Sequence, residues 1–172
     1  MTDTKREIMI CDNIKRDNNG ELTFAGYSLA SLAAKYGTPL YLYDENKIRE
    51  KCRAYTSSIK DFFGGDGRVM YASKAASFKR LYEIMKEEGM GVDVVSMGEI
   101  RTATLAGYPL ENAYFHSNNK TDWDIAFAMD HGVGHFVVDN REELDVINAY
   151  DRARSCYLNI AETLSGGKHA AK

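Results

Sequence analysis

From Val69 onward, short apolar runs alternate with stretches in which apolar residues return every three or four positions. The runs are Val69–Ala72, Val92–Val95, Ala113–Phe115 and Phe136–Val138. Such runs predict strands, and Val69–Ala72, with no polar alternation, reads as buried on both faces. Between them, Phe78, Leu81, Tyr82 and Met85 keep helical spacing and stop at Gly89. Ser96 with Glu99 forms a capping box for a second helix that ends at Gly107. Thr121 opens a third, with Trp123, Ala126 and Phe127, closed by Gly132. Asp139 with Glu142 opens a fourth, with Leu144 and Ile147 inward. Equivalent points lie 22 residues apart from Lys74 to Ser96 and 23 from His116 to Asp139. The pattern is a βα unit repeated four times; the leucine–asparagine ladder of leucine-rich repeats, which share this period, is absent. The fold class is therefore α/β with a parallel sheet, either part of a (β/α) barrel or an open doubly wound sheet.

The preceding segment is organised differently. Asp17-Asn18-Asn19-Gly20 marks a turn and Leu22-Thr23-Phe24 a short strand. Ser28 opens a helix with Leu29, Leu32, Ala33 and Tyr36 inward, closed by Gly37. Pro39 bars helix, and Leu40–Tyr43 predicts an aromatic-rich strand. Asp44 caps a helix with Ile48, Cys52 and Tyr55 on one face. Gly64-Gly65-Asp66-Gly67 is a turn, since it lacks the Lys-Ser/Thr ending of a phosphate loop and precedes its strand. These readings divide the chain into a lead-in segment at 1–67, four βα units at 68–150, and a divergent region at 151–172. That last region starts as a polar helix former and ends, from Ser165, as an expected disordered tail. Phe78, Leu81, Trp123, Phe127 and Ile147 are expected in the core. Four βα units cannot close an eight-stranded barrel, so open sheet edges, an exposed apolar flank, and oligomerisation or aggregation are expected.

Composition excludes more than it identifies. The formal charge of the 172 residues is 22 − 25 = −3 with no basic stripe, which argues against nucleic acid as a partner. No apolar run reaches the length of a membrane span, and Met1–Glu7 lacks the apolar core of a signal peptide. Cys11, Cys52 and Cys156 are odd in number and widely spaced, which suits a reducing cytoplasm. The four histidines form no metal motif, because Gly132 and Gly134 break any helix between His131 and His135.

Reactive groups in α/β folds collect at the carboxyl ends of strands. Those positions hold Lys74, then Asp93 and Ser96, then His116 with Asn118, then Asp139. A lysine, a carboxylate and an imidazole at one mouth would supply a nucleophile, its charge partner and an acid–base or stacking group. An ammonium at the end of an apolar strand is costly unless it is paired, wet or chemically used, and desolvation favours the free amine that Schiff-base chemistry needs. Each residue also has a plainer reading. Lys74 can mark the exit from the core, and Asp93 and Glu99 can favour a helix N-terminus by about 0.3–1 kcal/mol. His116 can be a structural histidine, and Asp139 reads as a cap.

Taken together, the motifs resemble a known family. Tyr36–Asp44 is similar to the opening segment of diaminopimelate decarboxylases, and Tyr71-Ala72-Ser73-Lys74-Ala75 to their pyridoxal-phosphate lysine motif. Gly91–Glu99, Phe115-His116-Ser117-Asn118-Asn119-Lys120 and Val138-Asp139 with Glu142-Glu143-Leu144 match the following strand ends, in order, between about Leu22 and Tyr150. The resemblance implies the first half of a (β/α)8 barrel in which Lys74 carries pyridoxal 5'-phosphate as a Schiff base. Asp93 and Glu99 would then lie near the Lys74 amine, and His116 would line the cofactor pocket. The implied reaction converts meso-2,6-diaminopimelate to L-lysine in the cytoplasm, within a homodimer in the full-length family. The family's phosphate loop, the acidic partner of the pyridine nitrogen and a β-domain with a catalytic cysteine are not found in these 172 residues, so little turnover is expected from them alone. The alternatives are an inactive truncated half-barrel, an ornithine- or arginine-type decarboxylase, and an alanine racemase. Against the last, Lys74–Phe78 lacks the tyrosine-glycine-histidine-glycine string that follows the racemase lysine.

Overall fold

A computed structural model describes the backbone of residues 11–164, with side chains to Arg152. The chain forms two compact units, Met1–Ile48 and Arg49–Lys172. This division falls within a helix.

The first unit contains an antiparallel sheet of β1 (Ile14–Arg16), β2 (Leu22–Phe24) and β3 (Tyr27–Ser28), followed by α1 (Leu29–Tyr36). Ser28 Oγ accepts from Ser31 N and caps α1 as expected. The strand expected at Leu40–Tyr43 is absent. Pro39 and its neighbours run irregularly, and Tyr41 is 85 % exposed, because no strand of this unit lies beside them to complete a ladder. Asp44 begins α2 (Glu45–Phe63), with Oδ1 accepting from Lys47 N at 3.2 Å.

In the second unit, α2 continues and packs on α3 (Lys79–Glu87) through Cys52, whose Sγ lies 4.0 Å from Met85 Sδ. Arg49 and Arg53 both bind the Glu88 carboxylate, and Arg49 also reaches Glu87. Tyr55, expected on the buried face, is exposed; Thr56 and Ile59 continue the face that Cys52 starts.

The main sheet runs β4 (Met70–Ala72), β5 (Gly91–Val94), β6 (Ala113–Phe115), β7 (His135–Phe136), all parallel and in sequential order. A helix follows each strand: α3, α4 (Met97–Leu105), α5 (Asp122–Asp130) and α6 (Arg141–Leu164). This is the four-unit α/β architecture that the periodicity predicts, and the α6 backbone passes through Tyr150 without a break. The tail expected from Ser165 lies outside the described residues.

The strands are covered on one face only, which corrects the expectation of burial on both. Val92, Val94, Ala113 and Phe115 are at most 1 % exposed, packed among Leu81, Ile84, Ile100, Ala103, Ile125 and Ala128. Their neighbours Met70, Asp93 and Tyr114 on the opposite face are only half-buried. The physical reason is count: the helices of this unit pack on one side, and no layer of its described residues covers the other. Trp123 is 68 % exposed and Leu144 46 %, both against expectation. In α5 the inward positions are Ile125 and Ala128. In α6 the cap is shifted by one residue, because Asn140 Oδ1 accepts from Glu143 N while Glu143 reaches back to Asp139 N. That shift turns Glu143 inward and Leu144 out.

Gly134 marks the tightest backbone approach. A β-carbon there would lie 2.0 Å from the Glu111 carbonyl oxygen, and Gly134 N donates to Leu110 O. Gly134→Ala is expected to destabilise the fold by roughly 2–3 kcal/mol, the cost of forcing two backbones apart. Gly132→Ala, strained in φ but in open space, is expected to cost about 1 kcal/mol. Urea unfolding of both variants checks this, and equal midpoints would refute the close-approach account.

Candidate functional site

The register Ala72↔Asp93↔Tyr114 levels the carboxyl ends of β4, β5 and β6. The residues just beyond those ends therefore meet at one mouth. Lys74 sits in a single 3₁₀ turn, Ser73–Ala75, directly after β4. Its side chain is exposed, so of the conditions that make a strand-end ammonium tolerable, solvation is the one met here. The same turn is braced by Tyr71, whose hydroxyl donates to Ala76 O at 2.9 Å.

Asp93 lies on β5 with its carboxylate on the open face. Oδ2 is 3.9 Å from His116 Nδ1, and Oδ1 is buried with no hydrogen-bond partner among the described residues. Burial pushes the Asp93 carboxyl up from its usual range, and the charges of His116 and Lys74 pull it part of the way back. Glu99 lies in the first turn of α4. Burial raises its carboxyl as well, opposed by the Val95 N–H, which donates to Oε2 at 2.7 Å; Asp93 adds to the rise and Lys74 opposes it. Ser96 Oγ accepts from Glu99 N, so the expected capping pair forms, with the glutamate reaching Val95. His116 extends the ladder, its N–H donating to Val94 O at 2.9 Å, and its side chain is half exposed. The four candidates Lys74, Asp93, Glu99 and His116 thus occupy one neighbourhood and act on each other electrostatically. Asp139 sits elsewhere, 3.6 Å from Lys120 Nζ.

Two groups escaped the periodicity. Ser73 is fully buried, and its Oγ has no partner of hydrogen-bonding geometry among the described residues. Tyr82, expected only as core, places its hydroxyl 3.0 Å from Ser77 Oγ. Burial pushes the Tyr82 phenol up, against the opposing pull of the Ser73 and Ser77 hydroxyls; the approach to Ser73 falls short of a hydrogen bond. The signal for Ser73 was its place between a buried strand and Lys74. Ser73 Oγ, on the side of the buried Tyr82, and Asp93 Oδ1, on the open face, are thus both without a hydrogen-bond partner among the described residues, and only the second lies on the face that holds the mouth.

Comparison with known proteins defines the class. Residues 45–172 match the pyridoxal binding domain of the pyridoxal-dependent decarboxylases, and the chain belongs to that family. Within it, the chain is 40% identical over 156 residues to the diaminopimelate decarboxylase of Bacillus methanolicus, covering 91% of this chain and 36% of that protein. It is 42% identical over 137 residues to that of Staphylococcus aureus, covering 80% and 32%. The crystal structure of diaminopimelate decarboxylase from M. jannaschii in complex with L-lysine superimposes with a TM-score of 0.75 at 30% identity, over 84% of this chain and 34% of that one. The chain spans about a third of the length of the curated relatives it matches. Family membership gives pyridoxal phosphate as the cofactor, and the residues present fit it: an accessible lysine amine for the aldehyde, and near enough for its charge to be felt there, Asp93 with an unmet carboxylate oxygen.

The raised Asp93 carboxyl has a consequence for stability. A carboxyl raised on folding holds its proton more tightly in the folded state, so its contribution is present below the ordinary carboxylate range. That contribution is lost as pH rises through the raised value. Asp93→Asn is therefore expected to raise the urea midpoint at pH 7, with the gain shrinking toward pH 4. A midpoint that falls at pH 7 would show Asp93 to be held by stabilising contacts instead.

Proposed function

We propose that this chain is the pyridoxal-phosphate-binding part of a diaminopimelate decarboxylase, in which meso-2,6-diaminopimelate loses one carboxylate as carbon dioxide, a proton takes its place, and L-lysine is the product. The observation that carries this reading is the convergence of Lys74, Asp93, Glu99 and His116 on one mouth in a chain of this family. The relatives named above support the substrate, and the His116-Ser117-Asn118-Asn119-Lys120 string favours diaminopimelate over ornithine or arginine.

When bound, pyridoxal phosphate supplies an electron sink for the pair left by the departing carboxylate. The residues of this chain bind, orient and place charge around it. The Lys74 amine, exposed beyond β4, is the group that would hold the cofactor through its aldehyde. Asp93 and Glu99 set a negative field around that amine, which holds a cationic nitrogen in place. Asp93 Oδ1, an unmet acceptor on the open face, would take a hydrogen bond from a bound group. The half-exposed His116 imidazole offers a flat surface and a nitrogen that can carry a proton at the mouth. A cytoplasmic homodimer is part of the same proposal.

Incubation with pyridoxal phosphate, borohydride reduction and peptide mass mapping test this directly. Label is expected to concentrate on Lys74 in the folded chain and to scatter over all lysines in urea. Asp93→Asn is expected to cut Lys74 labelling several-fold without changing the labelling of other lysines. Equal scatter in the folded and unfolded samples would sink the cofactor role of Lys74.

A further inference from the structure

Lys120 is the only buried lysine or arginine among the described residues, with a side chain 0 % exposed. Its Nζ donates to Ser117 O at 2.5 Å, lies 3.0 Å from Glu143 Oε2 and 3.6 Å from Asp139 Oδ2, and stands 6.0 Å from the centroid of the Phe115 ring. Glu143 is almost as deeply buried, at 6 %. Burying two charges is expensive, and an apolar pair of similar volume would serve packing equally well or better. The pair joins the segment after β6 to the first turn of α6. Its Glu143 end is itself fixed, since Oε2 also accepts from Asp139 N at 3.2 Å and Asn140 Oδ1 caps Glu143 N at 2.8 Å. At the other end, the Ser117 carbonyl that Lys120 grips belongs to the residue next to His116. The His116 N–H is already held by Val94 O. The backbone on both sides of His116 is therefore fixed, on one side by the sheet and on the other by a buried ammonium. Asn118 and Asn119 line a cavity of about 160 Å³ that Glu142 and Glu143 of α6 line from the other side.

We infer that Lys120, anchored by Glu143 of α6, is a positioning residue that fixes the loop after β6 and so sets the His116 side chain toward Asp93. The inference rests on the proposed function for its site, but not for its geometry. Lys120 touches no reacting group; it acts through the Ser117 carbonyl and the course of the loop.

The test separates positioning from simple structural pairing. Three variants are made: Lys120→Met, Glu143→Gln, and the double variant Lys120→Met with Glu143→Leu. His116 imidazole NMR signals, assigned with His116→Gln, are read without cofactor; Tm and the pyridoxal phosphate concentration for half-maximal Lys74 labelling are read alongside. The single variants are expected to lower Tm and displace the His116 signals. In the double variant no charge is left buried and unpaired, so Tm is expected to return to within about 2 °C of the parent. His116 should stay displaced, and half-maximal labelling should need about tenfold more pyridoxal phosphate. A double variant with parental Tm, His116 signals and labelling would overturn the inference, leaving the pair purely structural. If the double variant does not fold, Glu143→Gln decides, since it keeps the shape and the cap: parental His116 signals there overturn the inference. Absence of Lys74 labelling in the parent chain would sink the cofactor reading alone, because the His116 signals judge Lys120 without it.

Discussion

The parallel ladder from β4 to β7 is the constraint on which everything else depends. Its register is fixed by burial: Val92, Val94, Ala113 and Phe115 are sealed against the helices. A slip of one residue would turn Asp93 and Tyr114 into that apolar layer and Val92 and Phe115 out of it. Because the buried face permits one register, the strand ends are level. The turn carrying Lys74, the open-face carboxylate of Asp93 and the extension carrying His116 then have no choice but to meet. The site is a by-product of hydrophobic packing on the opposite side of the sheet.

That packing is one-sided. Met70, Asp93 and Tyr114 lie on a face that no described layer of their own unit covers, and Tyr114 stacks with His135 across it, ring centroids 4.3 Å apart. β4 and β7 are the edges of the sheet. A parallel sheet is normally covered on both faces. Asp93 accordingly sits between two conditions: it is buried enough for its proton to be held more tightly, yet open enough for His116 and Lys74 to act on it across the mouth.

Beside this open neighbourhood stands a dry one. Lys120 and Glu143 neutralise each other where water cannot, and they are satisfied by backbone groups as well as by one another. The contrast between a solvated lysine at the end of β4 and a buried one after β6 shows how little residue type alone says about a charge. Lys74 is accessible because the 3₁₀ turn ends β4 without covering it. Lys120 is buried because the shifted cap of α6 swings Glu143 over it.

The sequence determined, by itself, whatever depends on near neighbours in the chain. The apolar runs place β4 to β7 within a residue or two, the glycines at 89, 107 and 132 stop the helices, and Ser28, Ser96 and Thr121 cap theirs. These are local properties, decided by backbone conformation and spacing over one or two turns. The placing of Lys74, Asp93 and His116 at strand ends was legible for the same reason, and that of Glu99 in the first turn of a helix from its pairing with Ser96. Decisions that need a partner far along the chain were not legible. Leu40–Tyr43 has the composition of a strand but no ladder within its unit, and Trp123 has the spacing of a core residue but turns outward. Asn140 takes the cap that Asp139 and Glu142 were expected to form, and Glu143 comes inward with it. Only tertiary structure could settle these, because burial is set by what lies opposite a residue, and nothing in the local pattern says what that is.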